Sequence, residues 1–345
     1  MEATVYIVIL NWNGWQDTIA CLQSCFGLKG VSFRCVVCDN GSTDNSLNYL
    51  DQWANGELTI ELPENERLRG LITDGGLPKR VQKISRSAVL EENAEQASGD
   101  LIIVDNGANL GFAAGNNSGI QYAMQQADMS HVWLLNNDTL VEPNAALALI
   151  EREQNCQPCV VGSLLKFYDD PTVIQAVGGN AYNRFTGIAS ESLGRYKKES
   201  DAIDLADYES QLDYICGASM LLSKPFLEDI GVMEERYFLY YEEIDWAVRS
   251  RSKYPLRVAL DSIVYHKEGS SIGSASFDSA PSPFSEFCKV RAKLWFTAKF
   301  YPLAYISCYL FSAAQALNRL RQGYPENAKV ICKVLLGNYA FKKEK

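Results

Sequence analysis

Along the first half of the chain, short apolar runs of β type alternate with stretches patterned for helix, and each run stops in a cluster of Asn, Asp, Gly, Ser or Thr. Val5 to Leu10 enters Asn11-Trp12-Asn13-Gly14 before the helical stretch Asp17 to Phe26. Phe33 to Cys38 enters Asp39-Asn40-Gly41-Ser42-Thr43-Asp44 before a second helical stretch, Asp44 to Trp53. The pattern resumes with Leu101 to Val104, a helix from about Ala113 to Gln126, the strand Val132 to Leu135, and a helix with Pro143 in its first turn. Strands separated by helices pair in parallel through crossovers, so the order predicts an α/β fold with a mainly parallel sheet flanked by helices. Ligands of such sheets gather outside the carboxyl ends of the strands, where the polar clusters fall.

Residues 55–99 are polar, with short apolar runs such as Leu58 to Leu62, and are expected to form an insertion or a lid. Candidate strands follow at Val160 to Phe167, Ile174 to Val177 and Tyr214 to Leu222, with a helix from Glu242 to Arg251. This part reads as α+β structure added to the same sheet. Beyond Pro283 the pattern is helical. The expected division is a unit over 1–283, whose halves meet near residue 150, and a helical segment over 284–345.

The net charge of -10 argues against nucleic acid as a partner, because phosphate backbones are captured by clustered Lys and Arg. The charge is uneven: Glu286 to Lys345 holds 11 Lys and Arg against 3 Asp and Glu, a net +8, which leaves -18 on the rest. Within this basic tail Tyr301 to Leu317 has no charged residue, but Ser307, Ser312 and Gln315 dilute it and Pro302 opens it. That favours a helix lying at a membrane surface over one that spans it, with Lys289, Arg291, Lys293, Lys299, Arg319 and Arg321 facing anionic head groups. The alternative is a helix packed on the main unit or in a homodimer interface. Of the ten cysteines, Cys21, Cys25, Cys35 and Cys38 sit in helix and strand patterns, which suits a reduced, cytoplasmic protein. Cys35 and Cys38 fall in one strand, whose pleat sends the two thiols to opposite faces. Val5 to Leu10 is too short for a secretory core, so no export signal is expected.

Each polar cluster has a chemical and a plain reading. Asn11, Asn13, Asp39, Ser42 and Asp44, at the ends of two neighbouring parallel strands, can hold a nucleotide, or they simply make turns and a helix cap. The glycines of Asn109-Leu110-Gly111-Phe112-Ala113-Ala114-Gly115-Asn116-Asn117 allow close approach to phosphate or sugar oxygens, or serve helix packing. Val132 to Leu135 delivers Asn136-Asn137-Asp138-Thr139, where a carboxylate can hold a divalent cation or cap a helix. Asp105-Asn106-Gly107 repeats Asp39-Asn40-Gly41, and the echo is treated as chance.

In this order, these segments together resemble the donor half of family 2 glycosyltransferases, especially the bacterial rhamnosyltransferase-like branch. The resemblance continues through Gly217-Ala218-Ser219-Met220 and Gly231 to Trp246, reaching about Ser271. It implies the GT-A fold, a Rossmann-like nucleotide-binding sheet, with a donor half, an acceptor half and the helical C-terminal segment appended. It also implies a nucleotide-diphosphate sugar bound by Asn11, Asn13, Asp39, Ser42, Asp44, Asn109, Gly111, Asn116 and Asn137. Asn136-Asn137-Asp138 stands where many such enzymes carry Asp-x-Asp, so Asp138 is the expected contact to Mg²⁺ or Mn²⁺, joined by His266. The first acid of that motif is Asn here, which leaves more of the cation's shell to the donor diphosphate. Glu242-Glu243-Ile244-Asp245 matches the family's catalytic acids, with Glu243 in place of the usual Asp. At about 100° per residue Glu242 and Asp245 share a side of the helix and Glu243 turns away, so the three are not expected to share one job, or they are ordinary acids complementing the start of a helix. By the resemblance Glu243 is the first candidate base and Asp245 or Glu242 the second.

The chemistry implied is transfer with inversion. A carboxylate takes the proton of the attacking hydroxyl, and the cation stabilises the departing diphosphate. The branch points to dTDP-rhamnose as donor with UDP sugars next, and to a glycan or lipid-linked acceptor for cell-surface polysaccharide, met by a cytoplasmic enzyme peripheral to the membrane. Two rivals stand beside it: a non-catalytic binder of nucleotide sugars or glycans, and a dinucleotide oxidoreductase, against which the absence of GxGxxG after Val5 to Leu10 speaks.

Overall fold

The computed structural model describes residues 4–91, 96–156, 158–190, 192–267 and 281–341. The opening residues 1–3 and the last part of the resemblance, 268–271, lie outside the described residues. The chain begins with β1 (Thr4–Asn11), α1 (Trp15–Phe26), β2 (Ser32–Asp39) and α2 (Ser46–Ala54). Then come α3 (Glu66–Thr73), β3 (Val81–Ser85), α4 (Arg86–Leu90), β4 (Leu101–Asp105), α5 (Gly111–Met124), β5 (Met129–Asn136), β6 (Thr139–Val141) and α6 (Ala145–Asn155). The second half has β7 (Val160–Phe167), β8 (Ile174–Val177), the short strands β9 (Gly179–Asn180), β10 (Tyr182–Asn183) and β11 (Ile188–Ala189), α7 (Leu205–Gln211), β12 (Tyr214–Ile215) and β13 (Ser219–Ser223). It ends with α8 (Lys224–Ile230), α9 (Glu242–Ser250), β14 (Leu256–His266), α10 (Pro283–Phe300), α11 (Tyr305–Arg321) and α12 (Pro325–Leu335).

Ten strands form one sheet in the order β3-β4-β2-β1-β5-β13-β7-β14-β6, with β8 beside β7. The β1–β2, β1–β5, β2–β4, β3–β4 and β7–β14 pairs are parallel, while β13 runs against β5 and β7, and β6 against β14. From β1 the chain moves outward to β2 and β4, then crosses back to β5 on the other side of β1. Strand order therefore reverses between β1 and β5, the kind of position at whose carboxyl edge ligands of such sheets gather. The central strands are apolar on both faces, as helices on both sides require. α1, α2 and α6 cover one face through Ile19, Leu22, Leu50, Trp53 and Leu149, and α5 and α8 cover the other through Ile120, Tyr122, Phe226 and Leu227. Burying a large apolar side chain in such a layer is worth roughly 1.5–3 kcal/mol. Cys35 lies on the first face and Cys38 on the second, as the pleat demands.

Three details depart from the sequence reading. The 55–99 stretch, expected as an insertion or lid, is tied into the sheet: β3 pairs with β4 as its edge strand, over Val81 to Ser85. The run Tyr214 to Leu222 is two strands, because Gly217 and Ala218 turn the chain from β12, paired with β9, into β13 of the main sheet. The third is the echo. Asp39 and Asp105 are register partners, Asn106 donates to Asn40 Oδ1 at 3.3 Å, and Gly41 and Gly107 share φ near +70°. Neighbouring parallel strands end in the same turn, so the repeat is structural and not chance.

The helical segment packs on the rest of the chain. Phe296 meets Tyr241 and Ile244 of the α9 region, while Phe287, Val290 and Leu294 close a second cluster with Leu239 and α12. Three of its cations are engaged within the fold: Lys293 is 2% exposed, Lys299 binds Asp245 and Glu234, and Arg319 binds Glu286. The expectation that these three meet head groups is corrected by that pairing and burial. What α11 and the turn before it do present outward is apolar: Leu303, Ile306, Leu310, Leu317 and Leu320, spaced at helical intervals and more than half exposed. Among the described residues no helix is long and apolar enough to cross a membrane.

Candidate active site

A polar cluster is built at the ends of β1 and β2, beside the point where strand order reverses. Asn11 and Asp39 are register partners, and both are buried. The Asn11 amide donates to Asp39 Oδ1 at 2.7 Å and to Ser42 Oγ at 3.1 Å, and Thr18 of α1 donates to Asn11 Oδ1 at 2.7 Å. Asp39 Oδ2 accepts from the Ser42 backbone at 3.0 Å. Asn13, in the left-handed region at φ 52°, accepts from Thr43 N at 2.7 Å and joins the two loops. Asp44 accepts from the Ser46 backbone at 3.0 Å and its hydroxyl at 2.5 Å, so it serves the first turn of α2.

One turn over, Asn40 organises the start of α5. Its amide donates to Asn109 Oδ1 and to Gly111 O, both at 3.1 Å, and its Oδ1 accepts from Leu110 N at 3.2 Å. Gly111 has φ +83°, and a Cβ there would lie 2.1 Å from Phe238 O, so no other residue fits. Phe112 N in turn donates to Phe238 O at 2.8 Å. Asn117 holds the same loop from the side, accepting from Met233 N at 3.1 Å and donating to Met233 O at 2.9 Å. Asn116, expected among the donor contacts, is turned inward: it is 2% exposed and donates to Phe112 O within its own helix. Asn40 and Asn117 were not singled out from sequence, and only their place inside the quoted motifs hinted at them.

At the end of β5 the chain reverses into β6, so Asp138 sits in a strand-to-strand turn and caps no helix. β6 pairs with the end of β14 at Thr139–His266, and Lys267 N donates to Asp138 O at 3.1 Å. The pairing brings His266 Nε2 to 3.3 Å from Asp138 Oδ1. Gln175 fixes the ring: its amide nitrogen donates to His266 O at 3.5 Å, which turns its Oε1 toward Nδ1 at 2.9 Å. With Nδ1 facing this acceptor, Nε2 is directed at the carboxylate, an arrangement that suits a cation held by the two. Asn137 donates to Thr18 Oγ at 3.1 Å, tying this turn to the Asn11 network. One carboxylate and one imidazole fit Mg²⁺ or Mn²⁺ only as part of a shell that substrate oxygens and water complete. Among the described residues no group of three or more His, Cys, Asp and Glu could hold a metal by itself.

The acids of α9 separate into different roles. The chain enters α9 through Tyr240 and Tyr241, both in the left-handed region at φ 70° and 75°, a conformation costing roughly 1–2 kcal/mol for a side-chain residue. The Tyr240 hydroxyl sits 2.6 Å from Ser285 Oγ, and Tyr241 donates to Gly187 O. Glu243 faces a cleft of about 370 Å³ walled by Tyr214, Gly217, Tyr240, Lys289 and Lys293. Burial raises its carboxyl above the ordinary glutamate range, offset in part by the backbone N–H groups of Glu243 and Gly217. Glu242 is 2% exposed, and burial followed by the charge of Glu243 raises its carboxyl further. Asp245 lies in no cleft: it is fully buried, bound to Arg249 and Lys299 at 2.7 Å each, and accepts from the Tyr237 hydroxyl at 3.2 Å. It ties α9 to α10. The link between the cleft and β5 is Gly217–Ala218, since Asn136 N donates to Ala218 O at 3.1 Å and Glu243 lies directly on Gly217.

No family model matches the chain. Over 155 residues it is 26% identical to the low-salt glycan biosynthesis hexosyltransferase Agl10 of Haloferax volcanii, a stretch that is 44% of this chain and 47% of that protein. The match thus spans about half the length of that relative. Among solved structures, the mannosyltransferase PcManGT from Pyrobaculum calidifontis, in complex with GDP-Man and Mn²⁺, is 10% identical with a TM-score of 0.51, covering 98% of this chain and 87% of that one. GalNAc-T7, with UDP, GalNAc and Mn²⁺, is 12% identical with a TM-score of 0.52, covering 98% of this chain and 54% of that one. These are GT-A glycosyltransferases, and this chain has the GT-A fold.

Proposed function

We propose that this chain is a metal-assisted, inverting glycosyltransferase of the family 2 type, moving a sugar from a nucleotide diphosphate to a hydroxyl of a glycan or lipid-linked acceptor. The observation that carries the reading is the Asp138–His266 pair, 3.3 Å apart at the carboxyl edge of the sheet beside the Asn11–Asp39 cluster. The Agl10 likeness over about half that protein's length, and the nucleotides and Mn²⁺ named for the two solved structures, support the same reading.

In this scheme Asp39, Asn11, Asn13 and Ser42 hold the base and ribose, with the turn from Asn109 to Gly111 closing over them. Asp138 and His266 hold a divalent cation, which supplies Lewis-acid stabilisation of the diphosphate oxygens. Glu243 accepts the proton of the acceptor hydroxyl. Its raised carboxyl matches that work, because a base functions best with a proton affinity near the working pH. Asp245 holds the helix in place through Arg249 and Lys299. The donor half is then 1–150 and the acceptor half 151–283, and the cleft at Glu243 is walled by the acceptor half and the helical segment. The donor sugar is proposed as L-rhamnose on dTDP, with UDP hexoses next, and the product as cell-surface polysaccharide. The apolar stripe of α11 supports a cytoplasmic enzyme resting on the membrane surface.

The test is release of nucleotide diphosphate from dTDP-rhamnose and from common UDP and GDP sugars, with Mn²⁺ or Mg²⁺ and with chelator, for wild type and Glu243→Gln. Release from one donor that requires metal and is lost in the variant is the expected result. Binding without turnover for every donor, with and without acceptor glycans, would instead favour a binding protein of the same fold.

A further inference from the structure

The cleft beneath Glu243 holds a cation that the fold does not need. Lys293 is 2% exposed, and its ammonium donates to a neutral amide, Gln315 Oε1, at 3.2 Å, with the Phe311 ring 5.4 Å away. Among the described residues no carboxylate lies within ion-pair distance of it. The nearest acid on its helix, Glu286, is engaged by Arg319 at 2.8 Å and by Gln315 at 3.2 Å. Lys166, equally buried, shows the contrast, for it is paired with Glu199 at 2.5 Å. A buried ammonium without a counter-charge costs several kcal/mol, and an apolar residue of the same volume would do as well for packing. Burial accordingly lowers Lys293 from the usual lysine range to about 8. Lys289, one turn earlier on the same face of α10, lines the same cleft with its ammonium 5.0 Å from the Tyr240 ring.

We propose that Lys289 and Lys293 form an anion subsite at the acceptor end of the cleft, and that the acceptor is a phosphate-bearing sugar whose phosphate lies on these two ammonium groups while its hydroxyl faces Glu243. This rests on the reading of Glu243 as the base. Two ammonium groups at i and i+4 match the double charge of a phosphate, and a single carboxylate, Glu243, shares their cleft. The donor's own diphosphate belongs outside this cleft, at Asp138 in the β5–β6 turn and His266 at the end of β14. Tyr214, Tyr240 and Tyr241 form an aromatic wall of the cleft that Glu243 and the two lysines share, a surface suited to a sugar ring.

The experiment measures binding without donor, metal or turnover, so its outcome is independent of whether transfer is observed. Inorganic phosphate, glucose 1-phosphate, and hexadecyl phosphate in phosphatidylcholine vesicles are titrated by calorimetry and ³¹P NMR into wild type, Lys293→Met and Lys289→Gln. Glucose and plain vesicles serve as uncharged counterparts, and Arg80→Gln, an exposed cation beyond the cleft, as charge control. Losing one charge-assisted contact should weaken phosphate binding about tenfold or more in either lysine variant and not in Arg80→Gln. Binding of glucose 1-phosphate identifies a water-soluble source, and binding of hexadecyl phosphate alone identifies a lipid. If Lys293→Met does not fold, Lys289→Gln at the open rim carries the test. No phosphate binding by wild type, or affinities unchanged in both variants, overturns the proposal.

Discussion

Replacing Asp245 by Asn separates the two kinds of acid on α9. The carboxylate is fully buried and makes two 2.7 Å contacts with cations, to Arg249 of its own helix and to Lys299 near the end of α10. A neutral amide loses both charge interactions and leaves the two cations facing a dipole. Breaking a buried pair from one side costs about 3–5 kcal/mol, and since Arg249 and Lys299 are 24% and 38% exposed, water recovers part of that and about 2–3 kcal/mol is expected. The unfolding entropy of a chain of 345 residues, at about 2 cal/mol/K per residue, converts this to a fall in melting temperature of roughly 3–4 °C. Calorimetry on Asp245→Asn and Glu243→Gln side by side reads the difference. Glu243→Gln removes a carboxylate that burial already disfavours, so it should melt no lower than wild type while turnover is lost. The reasoning is refuted if Asp245→Asn keeps its melting temperature and loses turnover, because the buried acid would then be acting on chemistry and not on packing.

Four further outcomes follow from the same geometry. Glu242 has a folded-state proton affinity raised above the unfolded value, so its contribution to stability is full below the unfolded value and is lost as pH rises through the raised one; Glu242→Gln should flatten the fall in urea midpoint between acid and neutral pH. The acid limb of kcat/KM should lie above the ordinary glutamate value of about 4.3, set by Glu243, and a limb at or below it would remove Glu243 as the base. Gly217→Ala puts a Cβ 2.4 Å from Glu243 Oε1, and moving that carboxylate by about an ångström should cost about a hundredfold in kcat with melting nearly unchanged. Gln175→Leu, which frees the His266 ring, should raise the Mn²⁺ concentration needed for half activity by about tenfold or more, read by metal titration.

The first βα units were legible to within a few residues because each strand is a clean apolar run closed by turn formers, and the polar clusters fell at strand ends by necessity. The edge strand β3 was not, since Val81-Gln82-Lys83-Ile84-Ser85 alternates between exposed and half-buried positions, which gives a weak apolar signal. β14 was read only over Ile263 to Tyr265, because Arg257 and Asp261 interrupt its apolar character. Within the candidate site, Asn11 meets Asp39 and Asp138 meets His266, the last of which only the resemblance had brought forward. Asn116 does not, and helical spacing alone could not tell its inward face from that of Asn117. The count of cations in the tail was correct, but a count does not reveal that Lys299 and Arg319 have acidic partners inside the fold.

His266 reaches Asp138 only after β14 has paired with both β7 and β6. Asn136 and His266, which touch at 3.5 Å, are 130 residues apart, and nearly the whole acceptor half is synthesised between them. A chain still emerging from the ribosome can therefore assemble the Asn11–Asp39 cluster, whose parts are near in sequence, long before it can assemble the paired ligands. Capture of a cation would then report completion of the sheet, and fragments ending before β14 could hold a nucleotide without the means to part it from its sugar.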